Sequence, residues 1–298
     1  MFLLAEKAVV CLLSILLVAP LSAPLFRFEK TLPNTPPEGS PLWQLCALSV
    51  GPDSALYAAD ERGGRILKFS LSGETLAERS GNSPGSDRFF RPTGLVRRRG
   101  FSFYVCDSDR RRLLQLDDKL ALLSVFSFET QGADPLFSPQ GGCSDPSGTL
   151  YLFDATDNRI IRLDQTGRIT PFPREAGRLS GRMTALAFWQ GRLVMNDDRT
   201  GLLFTLDRFG NYRRPFTDSC FVPHGGMALF NDSLLCLSDV GQGRIRLVFP
   251  DNRIQYITPP DSLGPFSPGA LTAGYDRIWG VDARTQRIMV FVLTPESP

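Results

Sequence analysis

The chain has 298 residues, which is enough for one large β domain or two domains of ordinary size. Its hydrophobic content of 42% and charged content of 21% are typical of a globular protein and exclude an extensively disordered chain. The formal net charge is only +2 and there is one histidine, so the composition argues against a strongly basic nucleic-acid-binding domain and excludes a three-histidine metal site.

An apolar run at residues 8–23 directly follows Lys7. It has the length of a signal-peptide core and is short for a membrane-spanning helix, which needs about 20 apolar residues. Proline follows both candidate cleavage positions, Ala19 and Ala23. Two alternatives therefore stay open for residues 1–23, a cleaved signal peptide or an uncleaved N-terminal membrane anchor. In both cases we expect the body of the protein to be exported, to the periplasm or the extracellular space.

Residues 24–41 are predicted to contain a strand and a linker. The segment PLFRFEKTL at 24–32 resembles a strand, and the proline-rich segment at 31–41 is typical of a stiff linker. The end of the chain, by contrast, lacks one strand of the repeated pattern described next. We therefore expect the strand within 24–32 to close the ring by joining the two ends of the chain, which would remove an exposed sheet edge.

Six copies of one pattern occupy residues 42–298. Each copy contains a short apolar strand, a turn, a second apolar run that ends in aspartate, and usually an arginine five residues later. The aspartates are Asp60, Asp107, Asp154, Asp197, Asp239 and Asp282, at spacings of 42 to 47 residues. A period of this length with strand composition is typical of propeller blades. We predict an all-β fold, a six-bladed β-propeller with four antiparallel strands in each blade and with its ring closed by the N-terminal strand.

The pattern resembles the NHL-repeat family of six-bladed propellers over about residues 42–293. The similarity lies in Pro-x-Gly before the first strand of a copy, followed by the aspartate and an Arg-Ile or Arg-Leu pair. The Pro-x-Gly residues are Pro92 and Gly94, Pro139 and Gly141, and Pro223 and Gly225. The fourth copy departs from the pattern, with Leu202 for the arginine and Arg182 for the proline. The resemblance implies the fold and leaves function open, since such folds serve as scaffolds, binding modules and enzymes.

The repeated aspartates are predicted to be structural. Five of them precede an arginine by five residues, namely Arg65, Arg112, Arg159, Arg244 and Arg287. An aspartate that closes a turn and pairs with the arginine of the next strand stabilises a hairpin. We therefore predict no metal and no cofactor. Calcium is the alternative, because a site resembling that of the gluconolactonase group would need the kind of ligand offered by Asn158, Asn196, Asp197, Asn231 and Asp232.

Better candidates for binding are residues that differ between copies in the loops around the predicted channel mouth. These loops precede the first strand of a copy or join its second strand to its third. The candidate residues are Arg91, Gln140, Arg182, His224, Asp157, Asn158, Asp198 and Arg199. Such a mixture could hold a polar or anionic ligand by charge-assisted hydrogen bonds, whereas the alternative is an ordinary set of solvated loops.

Two functions remain in view. The first is an exported, non-catalytic binding or scaffold module for a protein or a polar or anionic cell-surface ligand. The alternative is a lactonase- or esterase-like hydrolase or a lyase, in which a metal ion or His224 activates water. The arginines at 97–99 and 110–112 fit an anionic glycan, a lipid headgroup or an acidic protein. Because the leader argues against a nucleic-acid partner, we predict none.

The cysteines beyond residue 23 form no C-x-x-C pair, so neither a zinc knuckle nor a thioredoxin-like site is indicated. Four of them fall in predicted strands, where small buried hydrophobes are expected. A bridge between Cys220 and Cys236 is the alternative for an exported protein.

Overall fold

The computed structural model describes residues 25–32, 44–81, 90–98, 100, 102–128, 137–154, 157–172, 182–201, 203–213 and 225–294. The predicted leader at 1–23, most of the linker, Cys220 and His224 lie outside these residues. Within the described ranges, no helix is long and apolar enough to cross a membrane.

The described residues form six four-stranded antiparallel sheets, which confirms the predicted all-β, six-bladed propeller. The first strand, β1 (Phe26–Leu32), belongs to blade 6. Blade 1 contains β2 (Leu45–Val50), β3 (Ala55–Asp60), β4 (Arg65–Ser70) and β5 (Thr75–Ser80). Blade 2 contains β6 (Pro92–Arg97), β7 (Phe103–Asp107), β8 (Arg112–Leu116) and β9 (Leu122–Ser127). Blade 3 contains β10 (Gly141–Ser144), β11 (Leu150–Asp154), β12 (Arg159–Leu163) and β13 (Ile169–Pro171).

The remaining blades follow the same order along the chain. Blade 4 contains β14 (Leu186–Trp189), β15 (Arg192–Asn196), β16 (Leu203–Asp207) and β17 (Tyr212–Arg213). Blade 5 contains β18 (Met227–Phe230), β19 (Leu234–Asp239), β20 (Arg244–Val248) and β21 (Ile254–Ile257). Blade 6 contains β22 (Pro268–Gly274), β23 (Arg277–Asp282) and β24 (Arg287–Leu293), together with β1.

Strand β1 lies at the outer edge of blade 6, where it pairs antiparallel with β24. The register runs from Phe26 opposite Leu293 to Leu32 opposite Ile288, with a shift between Phe28 and Lys30. The fourth strand of this sheet thus comes from the beginning of the described chain and the other three from its end.

The first strands of the blades surround the propeller axis. β2, β6, β10, β14, β18 and β22 contact one another in this order, and β22 in turn contacts β2. A narrow channel of about 130 Å³ is lined by residues from all six of them. The six sheets are therefore arranged radially around one axis.

A buried hydrophobic cluster fills each of the six interfaces between neighbouring blades. The cluster between blades 6 and 1, for example, contains Leu48, Leu56, Trp279 and Val290. Because a middle strand packs against neighbours on both of its faces, its residues are apolar in succession rather than in strict alternation. All six residues of β3 and all six of β19 are buried, as this packing requires.

Antiparallel strand order divides the connections between two faces of the disc. The turns between first and second strands and between third and fourth strands lie on one face, which we call the turn face. The loops between second and third strands, and the described residues directly before each first strand, lie on the other, which we call the loop face. The described residues among those predicted to bind a ligand belong to the loop face.

Candidate functional site

A buried carboxylate stands at the end of the second strand in most blades, as Asp107 illustrates. Its Oδ1 accepts hydrogen bonds from the backbone N–H groups of Phe90 and Arg91, at 3.1 and 3.2 Å. Its Oδ2 accepts one from Nε of Arg112, at 3.0 Å, and its side chain is fully buried. Asp107, at the end of β7, is thus hydrogen-bonded both to the backbone just before β6 and to the first residue of β8.

The same pairing recurs in three other blades. The paired atoms are Arg65 Nε and Asp60 Oδ2 at 3.1 Å, Arg159 Nη2 and Asp154 Oδ2 at 2.9 Å, and Arg244 Nε and Asp239 Oδ2 at 3.0 Å. Each aspartate lies directly opposite its arginine in the strand register. These carboxylates are engaged in holding hairpins together, as the sequence pattern predicted.

Blade 6 differs from the prediction. Asp282 and Arg287 are opposite each other in the register, but Arg287 is exposed and no ion pair joins it to a described residue. The Oδ2 of Asp282 instead accepts a hydrogen bond from Thr285 Oγ1 at 2.6 Å, and its Oδ1 accepts one from the backbone N–H of Ser267 at 3.1 Å. A hydroxyl inside the loop therefore takes the place of the predicted guanidinium.

Blade 4 also differs, because the repeated position is Asn196 and not Asp197. Asn196 lies opposite Leu203, and its Oδ1 accepts hydrogen bonds from the backbone N–H groups of Thr184 and Ala185, at 3.2 and 2.8 Å. Asp197 accepts hydrogen bonds from the backbone N–H groups of Arg199 and Thr200 within its own loop. The loop at 197–202 is longer than its counterparts, such as 61–64 and 108–111, which displaces the aspartate by one residue.

Arg91 is held at the boundary between blades 1 and 2. Its Nε donates to Glu61 Oε1 at 2.6 Å, and its Nη1 lies 3.6 Å from Asp109 Oδ1. Gln44 Nε2 donates to the other carboxylate oxygen of Glu61 at 3.2 Å. The hydrogen bond to Glu61 is the main cause of a raised pKa for Arg91, and it favours the charged guanidinium.

Three other predicted residues meet in blade 4. Asp198 Oδ1 accepts a hydrogen bond from the backbone N–H of Arg182 at 2.6 Å, and the backbone N–H of Asp198 donates to the carbonyl of Arg182 at 3.0 Å. Asp198 is thereby engaged with backbone, whereas the side chains of Arg182 and Arg199 are exposed to solvent. This corner of the loop face presents positive charge.

The candidates in blade 3 have different surroundings. Asp157 Oδ2 lies 3.1 Å from Arg159 Nη2, and Asn158 Oδ1 accepts a hydrogen bond from the backbone N–H of Met183 at 2.9 Å. Gln140 lines the central channel. The predicted residues therefore do not converge on one point. Arg91 is bound to Glu61 of blade 1, Gln140 lines the channel, and Asn158 is bound to the backbone of Met183, next to Arg182.

The mouth of the channel on the loop face is a cup of about 480 Å³ that we call the loop-face cup. It is defined by Gln44, Cys46, Thr184, Gly225, Ala283 and Gln286, together with neighbouring backbone. Gln286 holds its rim across the junction of blades 6 and 1, because its Oε1 accepts a hydrogen bond from the backbone N–H of Leu45 at 2.6 Å. The described lining is uncharged and mixes polar with small apolar side chains.

Sequence reasoning missed Gln44, Thr184 and Gln286. Gln286 occupies the last position of its loop, where a left-handed backbone recurs at Gly64, Arg111, Asn158, Gly243 and Gln286, with φ between 48° and 61°. The residue type at this position differs between copies, in contrast to the arginine that usually follows. That variation is the signal that could have identified it.

The described cysteines, Cys46, Cys106, Cys143 and Cys236, are free thiols. Burial raises the pKa of each of them. The alternative bridge between Cys220 and Cys236 involves a residue outside the described ranges. Among the described residues, no group of three or more His, Cys, Asp or Glu side chains is arranged to hold a metal ion.

No protein-family model and no curated protein sequence matches this chain. Solved structures do resemble it. Virginiamycin B lyase from Staphylococcus aureus is 15% identical, with a TM-score of 0.59, over 83% of this chain and 80% of the lyase. A variant of that lyase with a histidine replaced by alanine, solved with quinupristin, is described as catalytically inactive. A protein of unknown function from Bacteroides thetaiotaomicron is 12% identical, with a TM-score of 0.70, over 91% of this chain and 75% of the other.

The Cps50 (Swd1) β-propeller domain from Myceliophteria thermophila is 11% identical, with a TM-score of 0.58, over 90% of this chain and all of that domain. At these identities the similarities show the fold alone. They include a lyase and other propellers, so the assignment to NHL repeats stays a prediction.

Proposed function

We propose that this protein is a non-catalytic binding module that holds an anionic surface of a protein or cell-surface ligand against its loop face. The radial packing of six blades makes the disc a rigid support, and loops carried by a rigid support are common binding elements. The observation that carries the proposal is the separation of charge on that face.

The repeated carboxylates of the loop face are buried. Asp60, Asp107 and Asp154 each accept a hydrogen bond from an arginine of the next strand, with at most 1% of the side chain exposed. Arg182 and Arg199, by contrast, are exposed. In blade 4 a partner therefore meets exposed positive charge, although the chain as a whole is nearly neutral. Arginine is well suited to such contacts because its planar fork binds carboxylate, sulfate and phosphate groups.

We also propose that the protein is exported and works in the periplasm or the extracellular space. The support for this part is the apolar run at residues 8–23 after Lys7. Cell fractionation followed by N-terminal sequencing tests it and distinguishes a cleaved leader from a membrane anchor. Recovery of full-length protein from the cytosol would contradict export.

Blade 4 offers a matched test of the proposed binding face. Arg182 and Arg199 are exposed on the loop face, and Arg192 and Arg208 are exposed on the turn face of the same blade. Immobilised heparin serves as a defined polyanion, and the salt concentration needed for elution is measured for both double variants. We expect R182Q/R199Q to elute at clearly lower salt than the unsubstituted protein, because each lost contact reduces the salt-dependent attraction.

The control variant R192Q/R208Q has the same change in net charge on the opposite face. We expect it to elute close to the unsubstituted protein. Equal shifts for the two double variants would show that the column reports net charge alone, and the proposed face would then be wrong.

The alternative function is a hydrolase or lyase that works in the loop-face cup. It is favoured by the similarity to virginiamycin B lyase and by the position of His224 in the sequence, directly before Gly225, which lines the cup. Elemental analysis for calcium and other divalent metals and a screen of lactones, esters and quinupristin, the compound solved with the similar lyase, test this function. Turnover that is lost in H224A would establish the enzyme and overturn the non-catalytic proposal.

A further inference from the structure

A second cup lies at the opposite end of the channel, on the turn face. Turns between the first and second strands of blades 6, 1, 2 and 3 enclose about 380 Å³ there. We call this space the turn-face cup and define it by Gly51, Arg97, Arg98, Gly100, Ser144 and Tyr275. Its volume lies in the range typical of small-molecule sites.

Two neighbouring arginines give the turn-face cup its charge. Arg97 Nη2 donates to the carbonyl of Gly100 at 3.0 Å, and Arg98 Nη2 donates to the carbonyl of Asp164 at 3.1 Å. Neither guanidinium forms an ion pair with a carboxylate of the described residues, and Nε of Arg98 is buried without a hydrogen-bond partner. Two positive charges therefore face one cup, and neither is paired directly with a described carboxylate.

Asp53, whose charge acts on Arg97, already has other partners. Asp53 Oδ2 accepts hydrogen bonds from Tyr57 Oη at 2.7 Å and from Lys68 Nζ at 2.8 Å. Burial opposes the charge on Asp53, but the bonds from Lys68 and Tyr57 hold its pKa below the usual value. Asp53 therefore neutralises Lys68 and leaves Arg97 available to a ligand.

The walls of the cup are fixed before any ligand arrives. Tyr275 Oη in blade 6 donates to the carbonyl of Gly51 in blade 1 at 2.8 Å and accepts a hydrogen bond from the backbone N–H of Ser54 at 3.2 Å. Arg98 lies over the ring of Tyr104, with 5.4 Å between Cζ and the ring centroid. A preorganised site loses less conformational entropy on binding.

We propose that the turn-face cup binds the phosphate or carboxylate group of a small ligand through Arg97 and Arg98. Guanidinium groups bind such oxyanions through paired, charge-assisted hydrogen bonds. The terminal nitrogens of both guanidinium groups supply donors, and the ring of Tyr275 supplies an apolar wall. This site is separate from the proposed binding face and does not depend on it.

Isothermal titration with inorganic phosphate at constant ionic strength tests the site. We expect saturable binding that is weakened about tenfold or more in R97Q, since one charge-assisted contact is lost. Arg192, exposed on the same face and outside the cup, gives the control R192Q, which should bind as the unsubstituted protein does. The double variant R182Q/R199Q should also keep full phosphate affinity, which separates this site from the loop face.

Arg98 also packs on Tyr104, so thermal unfolding is measured for R98Q, and R98K serves as a second variant that keeps the charge. We expect R98K to bind more tightly than R98Q at equal stability. Absence of saturable phosphate binding, or unchanged affinity in both R97Q and R98Q, would overturn the proposal.

Sedimentation with vesicles that contain phosphatidic acid distinguishes the source of the phosphate group. Binding that is lost in R97Q would assign the site to a lipid headgroup. Phosphate binding without vesicle binding would assign it to a soluble anion. Both outcomes support the site.

Discussion

Arg112 and Arg287 occupy the same position of the repeat in two blades, and their surroundings differ sharply. Arg112 lies opposite Asp107 and is joined to it at 3.0 Å, with 11% of its side chain exposed. Arg287 lies opposite Asp282 but is exposed, and Thr285 takes the place of its guanidinium. Replacing each arginine by alanine therefore measures what the ion pair contributes while the sequence position stays the same.

The expected cost follows from what each change leaves behind. Removal of one partner from a buried ion pair costs about 3–5 kcal/mol, because the other charge stays buried without compensation. Asp107 keeps two backbone donors, so we expect R112A to lose about 3 kcal/mol, the lower end of that range. For R287A we expect a change within about 0.5 kcal/mol, as at other exposed positions.

Urea unfolding followed by circular dichroism measures both variants. Thermal unfolding gives a second reading, in which a loss of about 3 kcal/mol lowers the Tm of a chain of 298 residues by about 5 °C. Equal destabilisation by R112A and R287A would refute the reasoning. So would a stable R112A variant that has lost an enzymatic activity, because Asp107 and Arg112 would then serve as reagents.

Three further results are expected. Gly94→Ala should lower the free energy of unfolding, measured with urea, by about 1–3 kcal/mol, because the new Cβ would lie 2.8 Å from backbone atoms of blade 3. Gly269→Ala is the control and should leave stability nearly unchanged, since its new Cβ makes only ordinary van der Waals contacts. Phe26→Ala should lower the free energy of unfolding by about 3–5 kcal/mol, because Phe26 is 1% exposed and packs edge-on against Phe230, with 5.0 Å between ring centroids. An unchanged midpoint of urea unfolding would contradict the packing of β1 into blade 6. Burial of the Cys106 and Cys236 thiols raises their pKa, so stability is full below the thiol pKa of the unfolded chain, near 8.5, and should fall above it by about 1.4 kcal/mol per pH unit for each of these two thiols. Cys106→Ala should flatten that dependence, and an equally steep fall in this variant would contradict it.

Strand order and blade number could be predicted because the same short pattern recurs six times. A repeat gives six independent indications of where an apolar run ends and a turn begins, and the described second strands end where predicted in every blade except blade 4, where the strand ends one residue earlier, at Asn196. The pairing of β1 with β24 depends on contact between the two ends of the chain. Its traces in the sequence were a strand-like segment without a blade of its own and a last copy that lacks one strand.

Pairing inside a loop was harder to predict. The sequence around Asn196 and Asp197 offers two candidates for one position, and the length of the following loop decides between them. In blade 6 the pattern predicted a pair between Asp282 and Arg287, but the hydroxyl of Thr285 reaches the carboxylate over a shorter path. The spacing between aspartate and arginine in the sequence does not show whether a nearer hydroxyl, such as that of Thr285, binds the carboxylate in place of the arginine.

The candidate site was predictable only in part. Variation between copies selected loop residues such as Arg182 and Arg199, which are exposed, and their role in binding stays a prediction. It also selected Arg91 and Asn158, which are bound to Glu61 and to the backbone of Met183. Which side chains remain available to a ligand depends on contacts between blades, and those contacts join residues far apart in the sequence.

A crystal structure of the full chain grown with calcium chloride tests the central claim most directly. We predict six four-stranded sheets around one axis, with Asp60, Asp107, Asp154 and Asp239 each bound to the arginine opposite and no cation among them. Five or seven sheets, or these carboxylates gathered around a bound ion, would contradict the account.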